Sequence, residues 1–308
     1  MLKVLSLFDG LGGAKVALNN LGIENRYYSS EIDKYASEIA NKNHKIFPLG
    51  DVKNIPLWGD YPRTGDIDLL IGGSPCQGLS NAGNREGLTD NRSILFWEYL
   101  RLLWYYKPKY FILENVFSMK KADRAIITEL MGVEPIMINS ALVTAQHRKR
   151  LYWTNIEGIE QPEDREIYLK DIIEDDAVDR DKSYCIDACY YKGTDIKHRR
   201  QAVLVNKPDR LGLIGKSDTR GGRVYSIYGK SITLMANGGG WGAKTGLYYK
   251  QGDDIGEFII RKLTPIECER LQGLKDNHTS GVSNTQRYKM IGNGFTIPVI
   301  EHILSYMK

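Results

Sequence analysis

Cysteine is scarce in this chain. There are four in 308 residues, Cys76, Cys185, Cys189 and Cys268, too few and too scattered for a disulfide framework. Cys185-x-x-x-Cys189 with His198 has a partial metal-ligand spacing, but no second cysteine pair follows and no metal is expected. Long apolar runs are missing too. No segment approaches the ~20 apolar residues that span a bilayer, and Asp9 and Lys15 interrupt the apolar start, which argues against a signal peptide. A soluble, cytoplasmic protein is expected. Nor is there an excess of one charge: 42 Lys and Arg against 38 Asp and Glu give a formal net charge of +4. Nucleic-acid binding is thereby permitted without being demanded. No internal repeat or low-complexity linker is evident, and the length suits one large domain with a smaller one.

What is present concentrates at the ends of short apolar runs. Asp68-Leu69-Leu70-Ile71 reads as a strand and leads into Gly72-Gly73-Ser74-Pro75-Cys76-Gln77-Gly78-Leu79-Ser80, which presents a thiol on a small-residue loop. An open α/β sheet keeps its chemistry at such strand ends. A lone intracellular cysteine is usually a buried core thiol, yet a Pro-Cys-Gln loop flanked by glycine is a poor place to pack one. Tyr110-Phe111-Ile112-Leu113 ends in Glu114-Asn115-Val116, so a carboxylate is expected at the same sheet edge. One nucleophile and one acid then face one cleft.

The N-terminus adds a ligand site. Lys3 to Leu7 reads as a buried strand, followed by Phe8-Asp9-Gly10-Leu11-Gly12-Gly13 and a helical pattern over Ala14 to Leu21. Glycines between a first strand and first helix let a ligand approach the backbone closely. After the strand-like Arg26 to Ser30 comes Glu31, 18 residues beyond Gly13, close to the offset at which an acidic side chain meets a ribose. With Asp51, these residues look like an adenosine-type site.

The α/β alternation continues to about residue 155. Ser93 to Tyr106 puts Leu95, Phe96, Tyr99, Leu102, Leu103 and Tyr106 on one helical face, and Lys107-Pro108 stops it. These aromatics suit a core better than a base-stacking platform. A helix over Ala122 to Met131 and strands over Glu134 to Asn139 and Leu151 to Asn155 follow. From Asp176 to Gly256 the chain is rich in Gly, Lys, Arg and Tyr. Short strands at Gln201 to Asn206 and Tyr225 to Tyr228 suggest a small irregular β-rich unit, although such runs also occur as flexible linkers or solvated surface. Pro298 opens a last apolar helix reaching Met307.

Taken in order, these motifs closely resemble those of the DNA cytosine-5 methyltransferases, almost end to end. Phe8-x-Gly10-x-Gly12-Gly13, Glu31, Asp51, Ser74-Pro75-Cys76-Gln77 and Glu114-Asn115-Val116 are similar to the family's first, second, third, fourth and sixth motifs. Gln146-His147-Arg148-Lys149-Arg150 resembles the eighth, Arg261 to Gly273 the ninth, and Ile291-Gly292-Asn293-Gly294 the tenth. The resemblance implies a Rossmann-like S-adenosylmethionine-dependent methyltransferase fold, a mostly parallel sheet with helices on both faces, plus a smaller target-recognition domain. Its bounds are expected at 1–175 with 285–308 for the catalytic domain and 176–284 for recognition.

The implied reaction is methyl transfer from S-adenosylmethionine to C5 of a cytosine flipped out of duplex DNA. Cys76 is the implied nucleophile, Glu114 and Arg150 stabilise charge at N3 and O2, and Arg148 orients the loop or a phosphate. Phe8, Asp9, Gly10, Gly12, Glu31, Ile32, Asp51, Val52, Pro75 and Asn293 would hold the cofactor. Gln77, Ser80, Arg199, Arg200, Arg220, Arg223 and Thr233 would meet DNA, the last in a Thr-Leu pair that the family uses beside the flipped base. Ser80 to Glu86 reads either as a closing lid or as an ordinary surface loop. The resemblance further implies a monomer in a bacterial or phage-infected cell, with a cognate restriction endonuclease or as an orphan.

A tRNA cytosine-5 methyltransferase shares the scaffold, but the RNA-acting branch carries Pro-Pro-Cys and a Cys-Phe-Thr element, both absent here. A nucleotide-dependent oxidoreductase would explain the glycines but not Pro-Cys-Gln. Two departures stand out from the family pattern: Gly78-Leu79 after Pro-Cys-Gln, and Phe295-Thr296 where a small residue and Val are commoner.

Overall fold

The structure, a computed structural model, describes residues 1–57, 65–74, 94–174, 182, 183, 185, 186, 188 and 261–308, with the backbone of short strands at 202–203, 210–213, 223–226 and 247–249. Seven strands form the central sheet: β1 (Leu2–Leu7), β2 (Asn25–Ser30), β3 (Phe47–Pro48), β4 (Leu69–Gly73), β5 (Tyr110–Val116), β6 (Ile136–Asn139) and β7 (Lys149–Thr154). Their order is β3-β2-β1-β4-β5-β7-β6. All neighbouring pairs are parallel except those of β7, which runs antiparallel to both β5 and β6. Reversal of β7 brings its first residues to the edge where β1, β4 and β5 end.

Strand residues alternate between two cores because successive side chains point to opposite faces. Val4, Leu69, Ile71, Ile112 and Tyr152 face one side. Leu5, Leu7, Leu70, Leu113, Leu151 and Trp153 face the other. Burial on both faces is why these segments read as continuous apolar runs rather than as alternating ones. The first side is covered by α1 (Gly13–Asn20), α2 (Lys34–Asn43), α5 (Pro265–Leu271), α6 (Asn284–Asn293) and α7 (Ile297–Leu304); the second by α3 (Ile94–Tyr106) and α4 (Lys121–Met131). Phe96, Tyr99 and Tyr106 are core residues of α3, as the helical stripe predicts.

The chain rejoins this body after the Gly-rich segment. Leu263, Cys268, Leu271 and Leu274 pack in the same core as α1 and α7. The reason is local: Thr264 and Glu267 form a reciprocal cap with Pro265 in the first turn, which starts α5 and turns its apolar residues inward. Ser183 is likewise buried, and Ile186 joins that core. Strands at 210–213, 223–226 and 247–249 form a three-stranded sheet, and 202–203 pairs with 261–262.

Candidate active site

At the C-terminal edge of β1, β4 and β5 lies a cleft of about 270 Å³. Its first wall is the turn after β1, where Phe8 and Gly10 adopt positive φ (55° and 61°). A side chain is tolerated poorly in that region, and a Cβ added to Gly10 would meet only open space, so the backbone there is bare toward a ligand. Glu31 closes the turn: Oε2 accepts from the Gly10 amide at 2.8 Å, while Oε1 accepts from the amides of Ile32 (2.8 Å) and Asp33 (2.6 Å). Asp51 caps the short turn that holds Val52, accepting from Lys53 N at 3.0 Å.

Asp9 faces inward. Its carboxylate is 3% exposed and accepts from Ser6 Oγ, Tyr27 Oη and Ser29 Oγ, each at 2.6 Å. Burial raises its pKa, partly offset by the three hydroxyl donors. The side chain therefore ties the turn to β1 and β2, while Asp9 also lines the cleft. Gly12, unlike Asp9, is outside the cleft lining and packs on Ala40 and His44.

The opposite wall carries charge. Gly73 of β4 and Glu114 of β5 are register partners, and a Cβ on Gly73 would approach Glu114 Oε2 to 2.8 Å and Phe295 Cε1 to 3.2 Å. Only glycine leaves room for both. Glu114 Oε1 pairs with Arg150 Nε at 2.8 Å, the two side chains being 14% and 15% exposed. Because β7 is antiparallel, Arg150 lies opposite Val116 and reaches Glu114 across the ladder. Asn115 donates to Ser74 Oγ at 3.1 Å, fixing the end of β4 that leads to Cys76.

Arg148, two residues earlier and 4% exposed, has a different environment. It donates to the carbonyls of Ile186 (3.1 Å), Gly292 (3.2 Å) and Gly294 (3.0 Å). It thus clamps the turn holding Asn293 at the cleft's rim, while Phe295 packs beside Gly13 and Gly73.

The sequence profile described as C-5 cytosine-specific DNA methylase matches residues 2–308. This chain belongs to that family. It is 32% identical to the Type II methyltransferase M.HhaI of Haemophilus parahaemolyticus over 98% of this chain and 93% of that one. Identity to M1.ScrFI of Lactococcus lactis subsp. cremoris is 30%, over 99% and 77%. The structure of the S. pombe Dnmt2 methyltransferase covers 99% of this chain and 97% of its own at a TM-score of 0.55 and 18% identity, a likeness of fold. The protein is a DNA cytosine-5 methyltransferase that uses the family's donor, S-adenosylmethionine.

In this one cleft the structure brings together Phe8, Asp9, Gly10, Glu31, Ile32, Asp51, Val52 and Asn293 with Glu114, Arg148 and Arg150. The bare Gly10 backbone and the Glu31 carboxylate fit a nucleoside with hydroxyls to donate. Pro75, Cys76, Gln77, Ser80, Arg199, Arg200, Arg220 and Thr233 lie outside the described residues, as do Cys189 and His198; of Arg223 only the backbone is described. Motif reading missed Cys185, whose Sγ lies 3.5 Å from Arg148 Nη1 and 3.8 Å from Arg150 Nη2. No local signal marks it, because the contact spans 35 residues of chain. Two guanidinium groups also make this thiol a poor partner for a metal cation. Among the described residues no helix is long and apolar enough to cross a membrane.

Proposed function

We propose that Cys76, Glu114 and Arg150 carry out the covalent chemistry of cytosine methylation. The observation that carries the reading is the Glu114–Arg150 pair at 2.8 Å, in the cleft that also contains Gly10, Glu31 and Asn293. C5 of cytosine is a weak nucleophile inside an aromatic ring. Addition of the Cys76 thiolate to C6 moves the C5–C6 π electrons onto C5 and toward N3 and O2, the usual gain of nucleophilic catalysis. Glu114 bonds N3, and the Arg150 guanidinium stabilises O2. S-adenosylmethionine, when bound, supplies an electrophilic methyl group. Once C5 is methylated, loss of the C5 proton to a base or water restores the C5–C6 double bond and expels the thiolate.

The target atom is unreachable in a stacked duplex, so the cytosine must be flipped out, at a cost of a few kcal/mol. We assign sequence choice to the segment between residue 187 and residue 260, a reading supported by its Gly- and Arg-rich composition. The chain acts as a monomer, and the Type II methyltransferases among its relatives support a cognate restriction endonuclease as functional counterpart.

Glu114→Gln tests the central assignment. Single-turnover methylation of unmethylated DNA should slow by on the order of 10² or more, with cofactor affinity nearly intact, since the carboxyl acts on the transition state. An unaltered rate would remove Glu114 from the mechanism.

A further inference from the structure

Arg150 is gripped from several sides. Nε binds Glu114 Oε1 at 2.8 Å, Nη1 donates to the Lys149 carbonyl at 3.0 Å and Nη2 reaches Cys185 Sγ at 3.8 Å. A guanidinium has five N–H donors in a rigid plane, so each contact constrains how that plane can turn. The first two holds come from β5 and from β7's own backbone. The third comes from a segment far along the chain.

That segment is fastened to the start of β7. Ser183 N donates to Ala145 O at 2.7 Å and His147 N to Ser183 O at 2.9 Å, while Ile186 N donates to Gln146 Oε1 at 2.8 Å. Arg148 then holds the Ile186 carbonyl at 3.1 Å. Cys185 lies between these anchors, so its sulfur is kept against Arg148 and Arg150 rather than swinging on a loose loop. Burial alone would raise the Cys185 thiol, but the Arg148 and Arg150 charges outweigh it and hold it below the ordinary thiol value.

We propose that Cys185 is a positioning residue for methyl transfer, its Sγ orienting the Arg150 guanidinium toward the base. The inference rests on the catalytic reading of Glu114 and Arg150. Cys185 also touches Arg148, but it acts on the base through Arg150, and it does so from the chain that runs on into the Gly-rich segment.

The test is a double-mutant cycle on the full chain, read as single-turnover methylation of unmethylated genomic DNA with sites mapped by bisulfite sequencing and folding checked by thermal melting. Cys185→Ala should slow methyl transfer about 10-fold, the scale expected when a catalytic group is misplaced by a fraction of an ångström, with cofactor affinity retained. Cys185→Ser, which keeps an acceptor, should recover most of that loss. In an Arg150→Lys background Cys185→Ala should add no further loss, because coupled residues are not additive. Equal loss in the Ala and Ser variants, no loss in Cys185→Ala, or an undiminished loss in the Arg150→Lys background would each overturn the proposal while leaving the Glu114–Arg150 reading in place. A wild-type rate for Arg150→Lys and Glu114→Gln alike would instead remove that reading, and this inference with it.

Discussion

Replacing Arg148 by alanine separates a structural clamp from a catalytic group. The buried guanidinium serves three carbonyls, Ile186 O, Gly292 O and Gly294 O, at 3.0–3.2 Å. A buried polar group left without its partner costs about 1–3 kcal/mol. Three carbonyls at the low end of that range give a loss of about 3 kcal/mol, a large part of the 5–15 kcal/mol typical of a folded domain. Water entering the vacated space would keep the loss toward that low end. The functional effect should follow the same contacts: Gly292 and Gly294 flank Asn293 on the cofactor rim, so Arg148→Ala should weaken S-adenosylmethionine binding. Urea unfolding and calorimetric titration with the cofactor measure the two quantities. A variant as stable as the wild type, with unchanged cofactor affinity, would show that the clamp carries no weight, and would return Arg148 to a role on the substrate.

Gly73→Ala places a methyl group 2.8 Å from Glu114 Oε2; overpacking of this kind costs about 1–3 kcal/mol, and displacement of Glu114 should lower the methylation rate by on the order of 10². Single-turnover assays and thermal melts check this, and a fully active variant would contradict the geometry. In the Gly-rich segment, single substitutions at Arg199, Arg200, Arg220 and Arg223 should divide into two classes under bisulfite profiling. Those meeting phosphate weaken all DNA alike and lower the salt dependence, whereas a base-reading arginine relaxes one position at a cost of roughly 1–3 kcal/mol. If none of the four altered affinity or site preference, recognition would have to be placed elsewhere.

Local pattern carries much of this protein. The strands at Leu2–Leu7, Leu69–Gly73 and Tyr110–Val116 are legible as apolar runs because both faces of a parallel sheet are buried. Where patterns end, legibility ends. The basic cluster before Leu151 reads as loop, yet β7 begins at Lys149; exposed His147 and Lys149 alternate with buried Arg148 and inward Arg150, a strand rhythm hidden by uniform charge. Asp9 carries an acidic label that suits a ligand, but Ser6, Tyr27 and Ser29 claim its oxygens, and hydroxyls that converge only in the fold leave no mark in sequence. The same holds for Cys185. Phe295, a departure from the family pattern, is explained by packing: it fills the space that Gly13 and Gly73 leave open.

The most direct test of the account is covalent trapping. Duplex DNA carrying 5-fluorocytosine in the recognised site is incubated with S-adenosylmethionine and the full chain, then resolved under denaturing conditions. Fluorine cannot leave C5 as a proton, so elimination stalls and the wild type should remain joined to the DNA through Cys76. Cys76→Ala should give no adduct. Adduct formation by Cys76→Ala, or its absence from wild type that methylates the unfluorinated site, would contradict the claim that this thiol attacks the base.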